Sequence, residues 1–494
     1  MSTRNHLIFG RNGRRTVVSD MKPHETVLDY LRLREGAMGT KEGCCEGDCG
    51  ACTVVVRSME DGETKYEAIN SCIAPLGSLD GLDLVTVDDL AADGQLHPIQ
   101  QAMADKHASQ CGFCTPGFVM ALYALYESAS GTVDRTAITD GLAGNLCRCT
   151  GYRPIVEAGL AACNGKSGSS AADRAEVLRA IQSETSASLF IGDEHGFFAA
   201  PTTEDELADL YERHPHATIV AGATDVGLWI TKHLNKLEKI IYVGRVAGFR
   251  AVTSNDEGLT IGAGATYSDA EEALAGIDPD IGEVVRRIGS KQVRNVGTIG
   301  GNIANGSPIG DMPPLLIALN ADLTLRKGTA DRTMPLEAFF IDYGKQDRRQ
   351  SEFVKSVFVP ALAQNDHFRA FKLSKRFDQD ISAVMMGVKL TVEDATVAKA
   401  RIAFGGMAAT PKRAKHVEAW LKGASLQSAS SLSDGIRIAL QQDFAPITDM
   451  RASSGYRLEA AHGLIMKALI EIGADMAGQE VETRLVGYRE GMRA

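Results

Sequence analysis

The stretch Gly43–Cys52 reads Gly-Cys-Cys-Glu-Gly-Asp-Cys-Gly-Ala-Cys, and no other segment constrains the fold as tightly. Cys44, Cys49 and Cys52 keep a C-x4-C-x2-C spacing, with Cys72 following as a fourth cysteine. This is the spacing of a plant-type [2Fe–2S] loop, where three thiolates come from one tight turn and the fourth from elsewhere. Gly43, Gly47 and Gly50 suit that loop. Backbone wrapped round a cluster needs positive φ and close approach, and glycine supplies both. Its N–H groups can then point at the sulfurs and tune their potential. A zinc site would pair its cysteines as short knuckles, which this stretch does not do.

The ten cysteines stand at 44, 45, 49, 52, 72, 111, 114, 147, 149 and 163, in the first third of 494 residues. Cysteines gathered at one end of a large chain read as metal binding rather than as a disulfide scaffold. With 44% hydrophobic and 23% charged residues, the composition is ordinary for globular proteins. The length predicts about three to four domains. The net charge of −11 argues against nucleic acid as the main partner. Met1–Phe9 has no apolar leader pattern, and no stretch reaches the ~18 apolar residues of a membrane span. A cytoplasmic protein is expected.

Residues 1–90 read as a small β-rich domain. Leu7-Ile8-Phe9 and Thr16-Val17-Val18 flank a hairpin turn at Gly10–Gly13. Thr26–Arg34 has the spacing of a short amphipathic helix, Thr53–Arg57 is a strand, Ile69–Leu76 carries Cys72, and Leu84–Val87 closes the domain. That order is compatible with a β-grasp ferredoxin.

Residues 91–165 are helical in character, with segments at His97–His107, Phe118–Glu127, Thr136–Ala143 and Ile155–Cys163. Thr115 and Pro116 are placed as N-cap and first helical residue. The pairs Cys111/Cys114 and Cys147/Cys149 each stand just before a helix start. Helix N-termini carry partial positive charge, so two of them suit an anionic cluster. By spacing alone, a four-cysteine zinc site fits this set as well as an iron–sulfur site.

Asn164–Ser188 reads as an exposed linker, with room for a helix inside. Beyond it strands and helices alternate. Thr203-x-x-Glu206 is a capping box, with Leu207, Leu210 and Tyr211 on one helix face. Strands are expected at Ala217–Val220, Ile240–Val243 and Leu259–Ile261. Two glycine-rich loops stand out, Ala221–Gly227 and Gln292–Asn302. Successive N–H groups in such loops can bind the phosphates of a cofactor, although glycine loops also serve as plain turns. Neither loop is G-x-G-x-x-G opening a helix after a strand, which excludes a Rossmann dinucleotide fingerprint. Residues 315–360 look β-rich. Residues 366–490 look α+β, with strands near Phe368–Leu373, Ser382–Val392 and Lys399–Gly405 and helices near Lys415–Leu421 and Tyr456–Ile472.

The order C-x4-C-x2-C…C, then C-x2-C…C-x-C, then paired glycine loops resembles the iron–sulfur/FAD subunits of the molybdenum hydroxylase family, of the xanthine dehydrogenase kind. The resemblance spans nearly the whole chain and is carried by Gly47–Val54, Gln110–Gly117, Gly144–Pro154, Ala221–Gly227 and Gln292–Asn302. It implies an α+β multidomain fold. The parts would be a β-grasp [2Fe–2S] ferredoxin domain at 1–90, a helical-bundle [2Fe–2S] domain at 91–165 and a linker at 166–188. An FAD-binding domain of the vanillyl-alcohol-oxidase (PCMH) type would follow at 189–362, then a C-terminal α+β domain at 366–490.

By the same resemblance, Cys44, Cys49, Cys52 and Cys72 would hold one cluster, and Cys111, Cys114, Cys147 and Cys149 the other. FAD contacts map onto Ile219, Val220, Ala221, Gly222, Ala223, Thr224, Asp225 and Val226. They map also onto Thr298, Ile299, Gly300, Gly301 and Asn302, with Asp311, Val354 and Lys372. Both loops would bind the pyrophosphate through backbone N–H groups. No side chain need act as an acid or base. The chain would pass electrons from a molybdopterin-binding partner, in an (αβ)2 assembly, through the Cys111 set and the Cys44 set to FAD and on to NAD+. Gln110 matches a family residue at the molybdopterin. Three positions depart from the family. Cys45 stands where glycine is usual, Ile288 where the animal enzymes carry phenylalanine, and Gln379 replaces an aspartate while Asp380 remains.

Overall fold

The chain opens on a hairpin of β1 (Leu7–Arg11) and β2 (Arg14–Val18), turned by Asn12 and Gly13. Both turn residues have positive φ, 55° and 69°, which matches the right-handed twist of the paired strands. Thr26 then caps α1 (Val27–Asp29) in a capping box with Asp29, and the helix continues as a π turn over Tyr30–Arg34. The cysteine loop leads into β3 (Thr53–Glu60), β4 (Glu63–Asn70) and β5 (Asp83–Val85). The sheet order is β2-β1-β5-β3-β4, with β1 and β5 parallel and the other neighbours antiparallel. This is the expected β-grasp ferredoxin.

The computed structural model describes residues 3–165 and 172–484. It has two compact units, Met1–Ala247 with Gly289–Gly297, and Gly248–Ile288 with Thr298–Ala494.

In the first unit, the valine run of β3 is buried on both faces. Successive strand side chains point opposite ways. Val54 and Val56 therefore join a core with Leu7, Phe9, Leu31 and Phe198, while Val55 joins Phe118, Leu122 and Ile155 in a second core. That second core belongs to four helices, α2 (Pro98–Asp105), α3 (Thr115–Ser128), α4 (Arg135–Leu142) and α5 (Arg153–Asn164). The helix N-terminus placed at Thr115 lies one residue earlier, with Cys114 as N-cap and Thr115 already helical.

The expected linker is largely a helix, α6 (Ala172–Glu184). Leu178 and Ile181 are fully buried, α6 packs on β1 and β3, and Gln182 Nε2 donates to Met59 O at 3.3 Å. The small polar residues that suggested a linker lie mostly at 166–171, outside the described residues. A second sheet, ordered β6-β7-β9-β8, follows from Leu189–Gly192, Phe197–Ala200, Lys239–Tyr242 and Thr218–Val220 respectively. Thr203 caps the helix Glu204–Arg213 through its box with Glu206, as the sequence predicts.

The second unit holds an antiparallel five-stranded sheet, with strands 252–255, 258–262, 353–360, 322–327 and 330–335 in that order. The helix Met312–Ala318 runs into the start of the stretch 315–360 that looks β-rich in sequence. An antiparallel four-stranded sheet follows in chain order, made of Asp366–Leu373, Val384–Glu393, Thr396–Gly405 and Lys412–Arg413. The long helix Ser454–Met476 covers it, burying Ala461, Ile465, Ala468, Leu469 and Ile472 against Val388, Leu390 and Phe404.

Candidate iron–sulfur and flavin sites

The Gly43–Cys52 loop folds as its glycines require. Gly47 and Gly50 have φ of +75° and +69°. A Cβ on Gly43 would stand 2.8 Å from Cys49 Sγ, and one on Gly50 2.2 Å from Gly144 O. Backbone N–H groups turn inward onto sulfur. Cys49 N and Glu46 N donate to Cys44 Sγ at 3.3 and 3.4 Å, and Cys44 N donates to Cys49 Sγ at 3.4 Å. The four thiols of this set meet in two pairs. Cys44 lies against Cys49, and the buried Cys52 against the buried Cys72.

Each pair favours ionisation of one member. The Cys49 thiol, aided by loop N–H groups, pulls Cys44 down to about 5. The same contact pushes Cys49 up. Cys72 likewise lowers Cys52 while Cys52 raises Cys72. The thiolate is the form that ligates metal.

The second set closes in the same way, Cys114 on Cys147 and Cys111 on Cys149. Thr150 donates to Cys147 Sγ from both its N, at 3.4 Å, and its Oγ1, at 3.1 Å. Burial raises the Cys147 thiol, but these donors outweigh it and leave it lowered. Cys147 is buried within the helical core, whereas Cys111 and Cys149 are exposed. Tyr152, not a small polar residue, occupies the N-cap of α5, and its hydroxyl accepts from Cys147 N at 3.1 Å. Phe113, Leu146 and Tyr152 leave apolar surface exposed beside this set, next to the exposed Gln110.

Among the described residues, no group of three or more His, Cys, Asp or Glu side chains is arranged for a single metal ion. Two thiol pairs per set, ringed by N–H donors, fit a cluster of two irons, each taking one pair. Cys45 stands apart. Its φ is 55°, and its Sγ donates to Glu42 Oε1 at 3.3 Å. Burial, with help from Glu42, pushes this thiol up to about 11.

The two glycine loops differ from each other. The first runs from Val220 into the helix Val226–Thr231. A Cβ on Gly222 would lie 1.7 Å from Val296 O, so only glycine fits, and Ala223 has φ of 57°. Among the described residues, the N–H groups of Gly222, Ala223, Thr224 and Asp225 have no internal partner. This is the open donor set that a phosphate needs.

The second loop is closed. The N–H groups of Ile299, Gly300, Gly301 and Asn302 donate to Ala265 O, Ala263 O, Thr298 Oγ1 and Thr298 O, at 3.0, 3.1, 2.9 and 3.0 Å respectively. The expectation that both loops present N–H donors therefore holds for the first alone. What the second presents is the exposed Gly301 and the Asn302 amide, whose buried Oδ1 has no partner. In the same unit Asp311 is buried. It accepts from Lys372 Nζ and Ser382 Oγ, each at 2.5 Å. The buried Tyr267 is raised by its burial and by Asp311. Val354 is buried in the five-stranded sheet.

Four family descriptions match in chain order. "2Fe-2S iron-sulfur cluster binding domain" matches 10–77 and "[2Fe-2S] binding domain" 86–160. "FAD binding domain in molybdopterin dehydrogenase" matches 193–362, and "CO dehydrogenase flavoprotein C-terminal domain" 369–472. The chain belongs to the molybdenum hydroxylase family.

It is similar to the iron–sulfur and flavin part of those enzymes. The xanthine dehydrogenase of Blastobotrys adeninivorans is 31% identical over 89% of this chain and 39% of its own length. The xanthine dehydrogenase/oxidase of Rattus norvegicus is 33% identical over 82% of this chain and 34% of its own. The chain thus spans little more than a third of these curated relatives. Among solved structures, a chain of the Hydrogenophaga pseudoflava carbon monoxide dehydrogenase is 26% identical, with a TM-score of 0.52, covering 56% of this chain and 97% of that one. As a molybdenum hydroxylase component, the chain carries two [2Fe–2S] domains and an FAD-binding domain. Among the described residues, no helix is long and apolar enough to cross a membrane.

Sequence reading missed the residues that join the two cysteine loops. Leu146 N donates to Cys49 O at 3.0 Å, and Asn145 Nδ2 to Gly50 O at 3.0 Å. The signal was Asn145 itself, an amide two residues before Cys147.

Proposed function

We propose that the chain is the electron-transfer component of a xanthine dehydrogenase, joining a molybdopterin-binding partner chain to NAD+. One observation carries this reading: eight cysteines close as four thiol pairs, two in each of two domains, with N–H or O–H donors on Cys44, Cys49 and Cys147. Cys44, Cys49, Cys52 and Cys72 hold one cluster, and Cys111, Cys114, Cys147 and Cys149 the other. When bound, clusters supply single-electron transfer, and flavin supplies exchange between single electrons and hydride.

The protein's own work is positional. N–H donors stabilise thiolates, and burial of Cys52, Cys72 and Cys147 keeps water from them. The open N–H groups of Gly222–Asp225 receive flavin phosphate. Ile219, Val220 and Val226 flank that loop, and Thr298–Asn302, Asp311, Val354 and Lys372 complete the FAD contacts. Asp311 is pinned by Lys372 and Ser382, so its carboxylate keeps one orientation. The exposed rim of Cys111, Phe113, Leu146, Cys149 and Tyr152 meets the molybdopterin partner. An (αβ)2 assembly in the cytoplasm is the arrangement we propose, as in the family the sequence resembles.

The test is to purify the chain with its co-isolating partner and assay iron, flavin and xanthine-dependent NAD+ reduction on one sample. Iron and flavin together with xanthine:NAD+ turnover support the reading. Zinc in a colourless protein sinks it. Strong NADH oxidation by the chain alone, with no co-isolating partner, would replace it with a self-contained flavoprotein.

A further inference from the structure

The polar contact that joins the two cysteine loops most deeply is made by a residue far away in sequence. Gln292 lies on the short helix Lys291–Arg294, within Gly289–Gly297, the stretch that returns to the first unit. It is wholly buried. Its Nε2 donates to Asn145 Oδ1 at 2.9 Å and to Thr53 Oγ1 at 3.2 Å. Asn145 Nδ2 donates to Gly50 O at 3.0 Å and to Thr53 Oγ1 at 3.3 Å. Thr53 Oγ1 donates its one proton to Gly50 O at 2.6 Å. A hydroxyl can give one hydrogen bond and take two, so Thr53 is fully used.

Gln292 Oε1 has no polar partner and rests on Gly144, where a Cβ would stand 1.9 Å away. That leaves the glycine Cα–H as its neighbour, a weak donor. Asn295 Nδ2 fastens the same short segment a second time, to Ala68 O at 2.9 Å. Gln292 thus touches Thr53, next to Cys52, and Asn145, two residues before Cys147.

We propose that Gln292 is a positioning residue that sets the register of the two cysteine loops, and with it the coupling between the clusters they hold. This rests on the reading of both sets as [2Fe–2S] sites. A side chain wedged between the loops from outside both leaves Gly144 no room for a Cβ, while Gly50 is closed off by Gly144 O and by the Asn145 amide that Gln292 holds. The loops close on each other through Leu146 N and Cys49 O, and Gln292 holds that closure from one side. A role in stability alone would lower the melting temperature and leave the geometry between clusters unchanged.

Gln292→Met keeps the length of the side chain and removes both donors. The experiment takes the complete enzyme with its partner, reduces it with dithionite, and reads the spin–spin splitting between the two reduced clusters by low-temperature electron paramagnetic resonance. With iron and flavin at wild-type levels, the splitting should shift or collapse in Gln292→Met. An unchanged splitting overturns the proposal. Should Gln292→Met purify short of iron, the same spectrum is read on Thr53→Val, which deletes the shared hydroxyl and keeps the volume. Unchanged splitting there overturns the proposal equally. Wild-type enzyme lacking two distinct cluster signals would instead bring down the reading of the cysteines, and the proposal with it.

Discussion

At the scale of single residues, Cys45 stands beside the Cys44–Cys52 loop, and a substitution can decide its role. Its thiol faces Glu42, and its backbone sits at φ 55°, where a side chain is strained by about 1 kcal/mol. Glycine takes that conformation freely. Cys45→Gly should keep all the iron and leave stability unchanged or higher by about 1 kcal/mol. Thermal unfolding with iron analysis checks this, and loss of iron would make Cys45 a ligand. Asp449 is a second case. Burial would raise its carboxyl, but the N–H groups of Ala452 and Arg451 and the guanidinium of the buried Arg457 pull it down to about 2. A carboxylate held below its unfolded value stabilises the fold above that value and loses the effect as pH falls through the folded one. Wild type should exceed Asp449→Asn by about 1–2 kcal/mol at pH 6, with the gap closing between about pH 4 and pH 2. Paired denaturant titrations over that range measure it, and a gap that does not change with pH would refute the assignment.

Elements were legible where local chemistry decides them. The helix Lys415–Leu421 and the Thr203 capping box stand where the sequence places them, because their signals lie within one turn. The cysteine pairs before α3 and α5 were equally local. The linker left room for a helix but was expected to be exposed, because Leu178 and Ile181 declare themselves only when β1 and β3 are there to cover them. The helix Ser433–Asp443 was missed because it follows a serine-rich run at 425–433 and its buried Ile436, Ala439 and Leu440 span little more than one turn. In the second glycine loop, composition pointed to open N–H donors, yet Thr298, Ala263 and Ala265 take them all. Thr298 takes two of them as the N-cap of the helix Ile299–Asn305, and Ala263 and Ala265, too far away in sequence to leave a local mark, take the others. That loop still yields a test. Gly301 is exposed, and a Cβ there meets nothing within 4 Å except Thr298, at 2.7 Å from its Oγ1. Gly301→Val should therefore fold, keep its iron and lose flavin. Flavin at normal stoichiometry in that variant would remove the loop from the FAD site.

At the scale of the whole molecule, the two cysteine sets belong to different cores. Cys147 packs with Phe118, Leu122 and Ile155 among the helices, whereas Cys52 and Cys72 pack with Leu28 and Ile73 in the ferredoxin domain. The two cysteine loops are tied by hydrogen bonds from Leu146, Asn145 and Gln292, none of them a cysteine. Losing one set should therefore spare the other. Serine at 147 leaves the volume nearly unchanged but offers a poor, protonated ligand in place of a thiol that Thr150 keeps ready to ionise. Cys147→Ser should lose half of the iron, keep the flavin and retain the resonance signal of the Cys44 set. Function divides along the same line. If the exposed Cys111 and Cys149 face the molybdopterin partner, xanthine should no longer bleach the flavin absorbance of this variant, while NADH still does. Anaerobic stopped-flow absorbance separates the two. Bleaching by xanthine at the wild-type rate, with the iron halved, would mean that the helical domain does not lie between substrate and flavin.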